Sequence, residues 1–296
     1  MSTLKEFTDC VVERINDKMK DCDVHASLQV IKKNNGIEKI GIAINEKESN
    51  VSAVVDTVGF QLAYERGCSM DEIADKVLAL SMDHRQESID VSQITDYLKV
   101  KSRLAIKLIN RRLNEEMLKD MPHMNVCDDL ACVCYIVLEK PENGKIMVHH
   151  GLVEKWNVSV AELMHVAMEN VQKMYPAKVV SLEALVREKG LPIPVGESEP
   201  SLFVVMHEGQ MYGAVAALYK GLLNRLAEEW DSDLILIPSS VHEFLVMQKN
   251  ESHMSIDEWN RIVNEVNATQ LSEDEVLSDH VYLYCRETMD ICSLAA

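Results

Sequence analysis

Residues 234–247 read LILIPSSVHEFLVM, and this stretch decides how the C-terminal part of the chain folds. Its two apolar runs, Leu234 to Ile237 and Val241 to Met247, are separated only by Pro238-Ser239-Ser240. A connection this short can join antiparallel strands, whereas parallel strands need a long crossover. We therefore predict a β-hairpin here. The helical pattern that follows supplies a crossover, so we expect Val281 to Tyr284 to join the same sheet.

The rest of the chain carries similar periodic patterns. Ser159 and Glu162 form a helix-capping pair, and the apolar stripe that follows them stops at Pro176, which cannot continue a helix. The pattern from Gly213 to Trp230 predicts one helix, whereas Ala105 to Leu113 is compatible with either a strand or a helix. Strands and helices are mixed without a steady βαβ alternation. We therefore predict an α+β fold of mixed and antiparallel sheets with amphipathic helices packed on them.

An interruption in this periodicity suggests a domain boundary. The pattern lapses from Gln86 to Thr95, after an α-β-β-β-α order of elements. We therefore predict an N-terminal unit over residues 1–95 and a C-terminal α+β domain over residues 96–296. Within the second domain, Gly190 to Pro200 reads GLPIPVGESEP and holds three of the seven prolines of the chain. We expect a loop or linker at 190–200, because proline and glycine interrupt regular structure.

The charge balance of the chain is strongly acidic. It has 48 Asp and Glu residues against 30 Lys and Arg, which gives a formal net charge of −18. Such a surface repels the phosphates of nucleic acids, so we expect no direct nucleic-acid binding. The simplest role of this charge is solubility. Two more specific roles for the charge are also possible under this pattern. They are binding to a protein partner with a basic surface and imitation of nucleic-acid charge.

Composition also bears on compartment and cofactors. No window approaches the ~18 apolar residues of a membrane span, and the first residues lack the pattern of a signal peptide. We therefore expect a cytoplasmic protein without membrane contact, whose eight cysteines are reduced. The spacing of Cys127, Cys132 and Cys134 does not match a zinc site, and glycine-rich phosphate loops are missing from the sequence. We expect no metal and no cofactor.

The turn within the quoted stretch carries the most suggestive polar residues. HExxH and GxSxG motifs are absent from the sequence. Ser239, Ser240, His242 and Glu243, however, place hydroxyl, imidazole and carboxyl groups between two apolar strands. His280 precedes the strand that we expect in the same sheet. We therefore take these five residues as a candidate ligand site, with an ordinary serine-rich β-turn as the alternative.

Several short phrases, spread nearly end to end along the chain, are distinctive. They are Lys33-Asn34-Asn35-Gly36, Lys107 to Asn110, Leu118 to His123, Trp156 to Asn170, Val266 to Thr269 and Leu277 to Tyr284. In these phrases the chain resembles an uncharacterised domain-of-unknown-function family of clostridial gut bacteria. Leu130 to Asn170 is more loosely similar to the YtpQ-like proteins of Gram-positive bacteria. The resemblance supports the fold and the cytoplasmic location, and it implies no catalytic residue.

Three functions are compatible with these observations. The leading hypothesis is a non-catalytic intracellular binding or adaptor protein, because catalytic signatures are missing and the surface is acidic. The first alternative is a hydrolase or transferase with an unrecognised site near the Ser239-Ser240 turn. The second alternative is an acidic nucleic-acid mimic. A cleft with converging polar groups would favour the enzyme, and a shallow acidic face would favour the adaptor. The oligomeric state remains open.

Overall fold

The structure is a computed structural model of the 296-residue chain. It describes residues 3–47, 49–83, 88, 90–138, 144–188, 201–209 and 211–293. The expected loop or linker at 190–200 lies outside the described residues. The described chain forms two compact units. The first comprises Met1–Lys33 and Ile37–Ile94, and the second comprises Asn34–Gly36 and Thr95–Ala296.

The first unit packs helices on a small antiparallel sheet. It contains α1 (Leu4–Lys18), β1 (Val24–Lys32), β2 (Glu38–Glu46), β3 (Ala53–Asp56), α2 (Val58–Glu65) and α3 (Met70–Asp83), with the strands in the order β1-β2-β3. A capping box between Thr3 and Glu6 starts α1. Apolar residues then follow every four positions along α1, at Phe7, Val11 and Ile15, and this stripe is buried against the sheet. This stripe forms the core of the unit. The single turn α4 (Ser92–Thr95) lies where the two units adjoin in sequence.

The second unit contains most of the secondary structure. Its helices are α5 (Tyr97–Val100), α6 (Glu115–Leu118), α7 (His150–Trp156), α8 (Val160–Met174), α9 (Leu182–Glu188), α10 (Leu222–Glu229) and α11 (Ile256–Gln270). Its strands are β4 (Leu104–Asn110), β5 (His123–Asn125), β6 (Leu130–Val137), β7 (Lys145–Met147), β8 (Ala177–Ser181), β9 (Phe203–His207), β10 (Leu234–Ser240), β11 (Glu243–Gln248), β12 (Tyr282–Cys285) and β13 (Asp290–Ser293). None of the helices in the described part of the chain has the length and apolar character that crossing a bilayer requires.

These strands form two sheets. The larger has six strands in the order β13-β12-β10-β11-β9-β8. The smaller is built on β6, which pairs with β4 along one edge and with the two short strands β5 and β7 along the other. Every strand pairing in the described residues is antiparallel, and α8 packs on the smaller sheet. The predicted α+β class is confirmed.

The hairpin predicted from residues 234–247 is also confirmed. β10 and β11 pair from Leu234 with Gln248 to Ser240 with Glu243, and an irregularity between Pro238 and Ser240 shifts the register. β12 pairs with the other edge of β10, as expected for residues 281–284. The stretch that was compatible with a strand or a helix forms the strand β4, whose residues are all buried.

The single helix predicted from Gly213 to Trp230 is wrong. The chain forms a 3-10 helix, Gly213–Leu218, which ends before α10 begins at Leu222. Tyr219 is extended, with φ −65° and ψ 136°, and its hydroxyl donates to the carbonyl oxygens of Val171 and Tyr175. Gly221 then takes a φ of +74°, which glycine adopts at little cost. The apolar periodicity did not reveal this break.

Gly213 starts the 3-10 helix in a space that has no room for a side chain. A Cβ atom there would lie 2.5 Å from the carbonyl oxygen of His242 and 3.0 Å from the amide nitrogen of His207. We predict that Gly213→Ala lowers the free energy of unfolding by about 1–3 kcal/mol, because backbone has to move. Urea unfolding measures the change. Gly151→Ala is the control, since a Cβ at Gly151 meets nothing within 4 Å. Equal stability of the two variants would contradict the prediction.

Candidate functional site

Four of the predicted site residues lie together at the β10–β11 turn. The Ser239 hydroxyl donates to Glu243 Oε1 at 3.2 Å, and the His242 backbone N–H donates to Ser240 Oγ at 3.0 Å. Both hydroxyl groups therefore make local contacts of the kind found in serine-containing β-turns. Among the four side chains, only the imidazole of His242 extends into a larger group of polar residues, which is described below.

His280, the fifth predicted residue, belongs to a different group of contacts. Its Nδ1 atom lies 2.8 Å from Asp279 Oδ1 and 3.3 Å from Ser278 Oγ. Its Nε2 atom lies 2.9 Å from Ser293 Oγ and 3.5 Å from Asp129 Oδ1. The structure therefore places His280 two residues before β12, a strand of the same sheet as β10 and β11, but the polar contacts of His280 are with residues outside the turn.

The buried carboxyl group of Asp129 is the centre of this second group. Its Oδ1 atom accepts a hydrogen bond of 2.6 Å from the Tyr282 hydroxyl. Its Oδ2 atom accepts bonds from Ser278 Oγ at 2.8 Å and from Asn110 Nδ2 at 3.2 Å. We call Asn110, Asp129, Ser278, His280 and Tyr282 the Asp129 cluster. Burial and the neighbouring Asp129 raise the pKa of Tyr282 far above its usual value, so its hydroxyl stays a donor.

The Asp129 cluster has contacts that resemble catalytic and metal sites. The order Ser293, His280, Asp279 is that of a Ser-His-Asp triad. Asp129, however, faces the same Nε2 atom that would have to act as a base for Ser293. Asp129, Asp279 and His280 also bring ligand atoms within 4.8 Å of one another. A cation would have to compete there with the protein donors that already bind Asp129. We therefore interpret the cluster as a structural network.

A second cluster begins on one face of the smaller sheet. Ala105 of β4 pairs with Tyr135 of β6, and Val137 of β6 pairs with Lys145 of β7. Residues two apart on a strand point to the same side of a sheet. Lys107, Tyr135 and Lys145 therefore share one face. Tyr135 is fully buried and Lys107 is 8% exposed. Lysine side chains are rarely buried to this extent.

The larger sheet contributes two histidines from one end. Val205 of β9 pairs with Phe244 of β11, so continuing this register by two residues brings His207 opposite His242. The loop after β9 carries Tyr212, whose backbone N–H donates to His242 Nδ1 at 3.0 Å. The ring proton of His242 therefore lies on Nε2, which faces Glu275 Oε1 at 3.5 Å. Both ring nitrogens of His242 have partners.

The ring of Tyr212 is where these residues meet. The Nζ atoms of Lys107 and Lys145 lie 4.5 and 5.5 Å from its centre. The ring of His242 stacks on it with a centre distance of 6.0 Å, and the ring of Tyr135 lies at 5.8 Å. Tyr212 has a φ of 65°, a conformation that costs a non-glycine residue about 1–3 kcal/mol and that is concentrated at functional sites. We call Lys107, Tyr135, Lys145, His207, Tyr212 and His242 the Tyr212 cluster.

Two atoms of this cluster are buried without a hydrogen-bond partner among the described residues. They are the hydroxyl oxygen of Tyr135 and Nε2 of His207. His207 is 2% exposed, and its Nδ1 accepts the backbone N–H of Gly209 at 3.0 Å. In the neutral ring the proton must then lie on Nε2. Both partnerless groups are therefore able to donate a hydrogen bond.

Burial changes the acid-base behaviour of this cluster. It lowers the pKa of His207 from 6.5 to about 4, with smaller contributions from Lys145 and His242. Burial also lowers the pKa of Lys145 and raises that of Tyr135. At neutral pH, His207 is thus a neutral ring and Tyr135 a neutral hydroxyl. The positive charge of the cluster comes from the two lysines.

The sequence prediction found one member of this cluster and missed the others. His242 was selected because it lies at a polar turn. Lys107 was missed because it stands in the apolar run LAIKLIN, which was read only as a strand or a helix. A lysine in the middle of such a run is a usable signal, because its charge needs compensation once the strand is buried. Tyr135 and Lys145 carry no comparable signal before the strand register is known.

The cysteines of the smaller sheet stay protonated. Burial raises the pKa of Cys132 to about 12, and it raises that of Cys127 to about 11. Burial raises the pKa of Cys134 as well. The thiolate, rather than the thiol, is the form that binds metals and attacks electrophiles. These side chains are therefore suited to packing.

Removing the Tyr282 hydroxyl tests the structural role of the Asp129 cluster. We predict that Tyr282→Phe lowers the free energy of unfolding by about 1–3 kcal/mol, because the buried carboxyl group of Asp129 loses a donor. Chemical denaturation measures this. Tyr284→Phe, two residues along the same strand, does not touch Asp129 and is the control. The interpretation fails if the two variants lose the same stability.

The depressed pKa of His207 predicts a pH-dependent stability. Between pH 6.5 and about 4 the unfolded chain binds a proton that the folded protein does not, so stability falls as the pH drops through this range. The loss amounts to about 3 kcal/mol at most. His207→Gln should flatten the dependence, whereas His165→Gln, in an exposed position of α8, should not. Urea midpoints at several pH values decide this, and a dependence unchanged by His207→Gln would contradict it.

Comparison with known proteins gives a family and no activity. No curated protein matches the chain. No solved structure matches it either. Residues 4–286 match a family of unknown function, DUF5688, so the match covers Asp129, Tyr282 and every member of the Tyr212 cluster. The expected membership of an uncharacterised family is confirmed, and the chain belongs to the DUF5688 family of unknown function.

Proposed function

We propose that this protein is a non-catalytic binding protein that takes a small polar ligand in the Tyr212 cluster. The observation that carries the proposal is the pair of buried donors without partners, Tyr135 and His207. A buried donor that makes no hydrogen bond costs about 1–3 kcal/mol. Two such donors in one cluster, beside the strained Tyr212, are best explained by a ligand that accepts from both.

The contacts of the histidines favour binding over catalysis. Neither His242 nor His280 has a free ring nitrogen, because each contacts protein atoms through both. His207 is neutral at pH 7, and its pKa of about 4 makes it a poor general base. The hydrolase or transferase alternative near the Ser239-Ser240 turn gains no support from these contacts.

The remaining expectations from the sequence are part of the proposal. The net charge of −18 supports the absence of direct nucleic-acid binding, and it leaves room for a protein partner with a basic surface. A cytoplasmic location is supported by the composition. A clostridial origin and a distant relation to the YtpQ-like proteins rest on the phrases quoted above.

Tyr135→Phe tests the proposal through two opposite effects. Without ligand, the variant should be as stable as the parent or up to about 2 kcal/mol more stable, because it removes a buried group without a partner. It should also lose the stabilisation that a bound ligand gives. Thermal shift assays against a library of small polar metabolites, followed by calorimetry, measure both effects.

Tyr219→Phe is the matched control for this experiment. The hydroxyl of Tyr219 is buried too, but it donates to two backbone carbonyl groups. This variant should lose stability and keep ligand binding. The proposal fails if Tyr135→Phe is destabilised like Tyr219→Phe, or if a ligand that stabilises the parent stabilises Tyr135→Phe equally.

A further inference from the structure

Asn224, which lies outside the Tyr212 cluster, has a buried polar atom without a partner. Its Oδ1 atom accepts no hydrogen bond from the described residues. The carbonyl oxygen of an asparagine amide can accept two hydrogen bonds. Burying it without a donor is unfavourable, and such atoms are rare in native proteins. A ligand that donates to Asn224 would account for this atom, and a cavity beside the residue supports that explanation.

The cavity beside Asn224 has the size of a small-molecule site. Its volume is about 450 Å³, and pockets that bind small molecules commonly measure roughly 300–1,000 Å³. Its walls come from the 3-10 helix Gly213–Leu218, the start of α10, the β12–β13 hairpin and Val126, all in the second unit. The described residues that line it include no member of the Tyr212 cluster. The cavity is therefore a different place from the Tyr212 cluster.

The walls of this cavity are mainly apolar. The ring of Tyr284, which is 5% exposed, provides an aromatic surface. Lys220 and Asp290 also line the cavity, and their opposite charges leave the walls without a net charge. Such walls favour an uncharged ligand with an apolar body. The apolar lining side chains are Val126, Ala217, Leu218, Leu223, Met289 and Ile291.

Asn224 is able to turn its acceptor towards the cavity. The residue is half-buried in the first turn of α10, and it lines the cavity next to Leu223. Its Oδ1 atom is closed to water, but the amide group of an asparagine rotates over a broad range of χ2. Such a rotation breaks no hydrogen bond of Oδ1, since this atom makes none with the described residues. A ligand donor in the cavity can therefore reach it.

Met289 lies at the opening of the cavity. It is 62% exposed although it belongs to the apolar lining. Its backbone N–H donates to the carbonyl oxygen of Cys285 in the turn between β12 and β13, and its φ of 58° is uncommon for a residue with a side chain. Methionine side chains are flexible and adapt to irregular surfaces. A ligand in the cavity would cover this exposed apolar side chain.

We propose that this cavity binds an uncharged, mainly apolar compound that donates an N–H or O–H hydrogen bond to Asn224. Phenols and indoles belong to this class. The apolar walls supply affinity, because burial of apolar surface is favourable. The hydrogen bond supplies selectivity, because a ligand without a donor leaves Oδ1 of Asn224 unsatisfied. This site goes beyond the proposed function, and neither depends on the other.

Calorimetric titration of the full chain with two matched pairs of compounds tests the proposal. Indole and 1-benzofuran have nearly the same shape, but only indole carries an N–H donor. Phenol and toluene differ in the same way by an O–H donor. We expect indole or phenol to bind with a Kd below about 1 mM, and about tenfold more tightly than its partner without the donor. The proposal is overturned if neither indole nor phenol binds, or if each binds no more tightly than its partner.

Variants show whether the compounds bind at Asn224. Asn224→Leu keeps the approximate shape of the side chain and removes the acceptor, so it should bind indole and 1-benzofuran equally. Asn224→Asp keeps an acceptor and should retain the preference for indole. Tyr135→Phe, in the Tyr212 cluster, should bind indole as the parent does. A preference for indole that survives in Asn224→Leu would overturn the proposal, and so would loss of indole binding in Tyr135→Phe.

Stability measurements separate a ligand contact of Asn224 from a structural role. Without added compound, Asn224→Leu should unfold at the same urea concentration as the parent or at a higher one, because it removes a buried acceptor without a partner. Asn267→Leu is the matched control. Asn267 is also half-buried on a helix, but its Nδ2 atom donates to the carbonyl oxygen of Ser278 at 2.9 Å. This variant should lose stability and keep indole binding. Equal losses of stability in Asn224→Leu and Asn267→Leu would overturn the proposal.

Discussion

The hydrogen bonds to the buried carboxyl group of Asp129 are the constraint on which the second unit depends. Asp129 precedes β6 of the smaller sheet, and Tyr282, which donates to it, is in β12 of the larger sheet. This contact joins the two sheets at a point where both are closed to water. β12 pairs with β10, and β10 continues into the turn that carries His242. This series of contacts connects Asp129 to the position of the His242 imidazole beside Tyr212.

Strands joined by a short connection could be predicted from the sequence, whereas features that depend on strand register or on the conformation of single residues could not. The hairpin at residues 234–247 was predictable because a short connection leaves few geometries, although the turn lies at residues 241–242 and not at 238–240. The break between Leu218 and Leu222 was not, since the apolar periodicity continues through it while the extended Tyr219 and the positive φ of Gly221 interrupt the helix. Part of the site was visible as a polar turn. Tyr135 and Lys145 became neighbours only through the β6–β7 register, which no local pattern specifies.

The two polar clusters of the second unit show opposite balances of donors and acceptors. Around Asp129, neutral donors surround an acceptor, and each contact is made within the protein. Around Tyr212, donors outnumber acceptors, and two donors have no described partner. Fully satisfied networks favour a single rigid arrangement, whereas unsatisfied ones are expected where another molecule completes the set. This contrast, rather than the presence of polar residues, distinguishes the structural network around Asp129 from the binding site that we propose around Tyr212.

The distance in sequence between Asp129 and Tyr282 has a consequence for how the chain folds during synthesis. The two residues are 153 positions apart, so the smaller sheet leaves the ribosome long before its donor from β12 is made. Contacts of such separation form late and slow down folding. Until Tyr282 emerges, the carboxyl group of Asp129 has to remain hydrated, and the edge of β10 that β12 later covers stays open. During translation the chain therefore passes through an intermediate with an exposed strand edge, and chaperones protect intermediates of this kind.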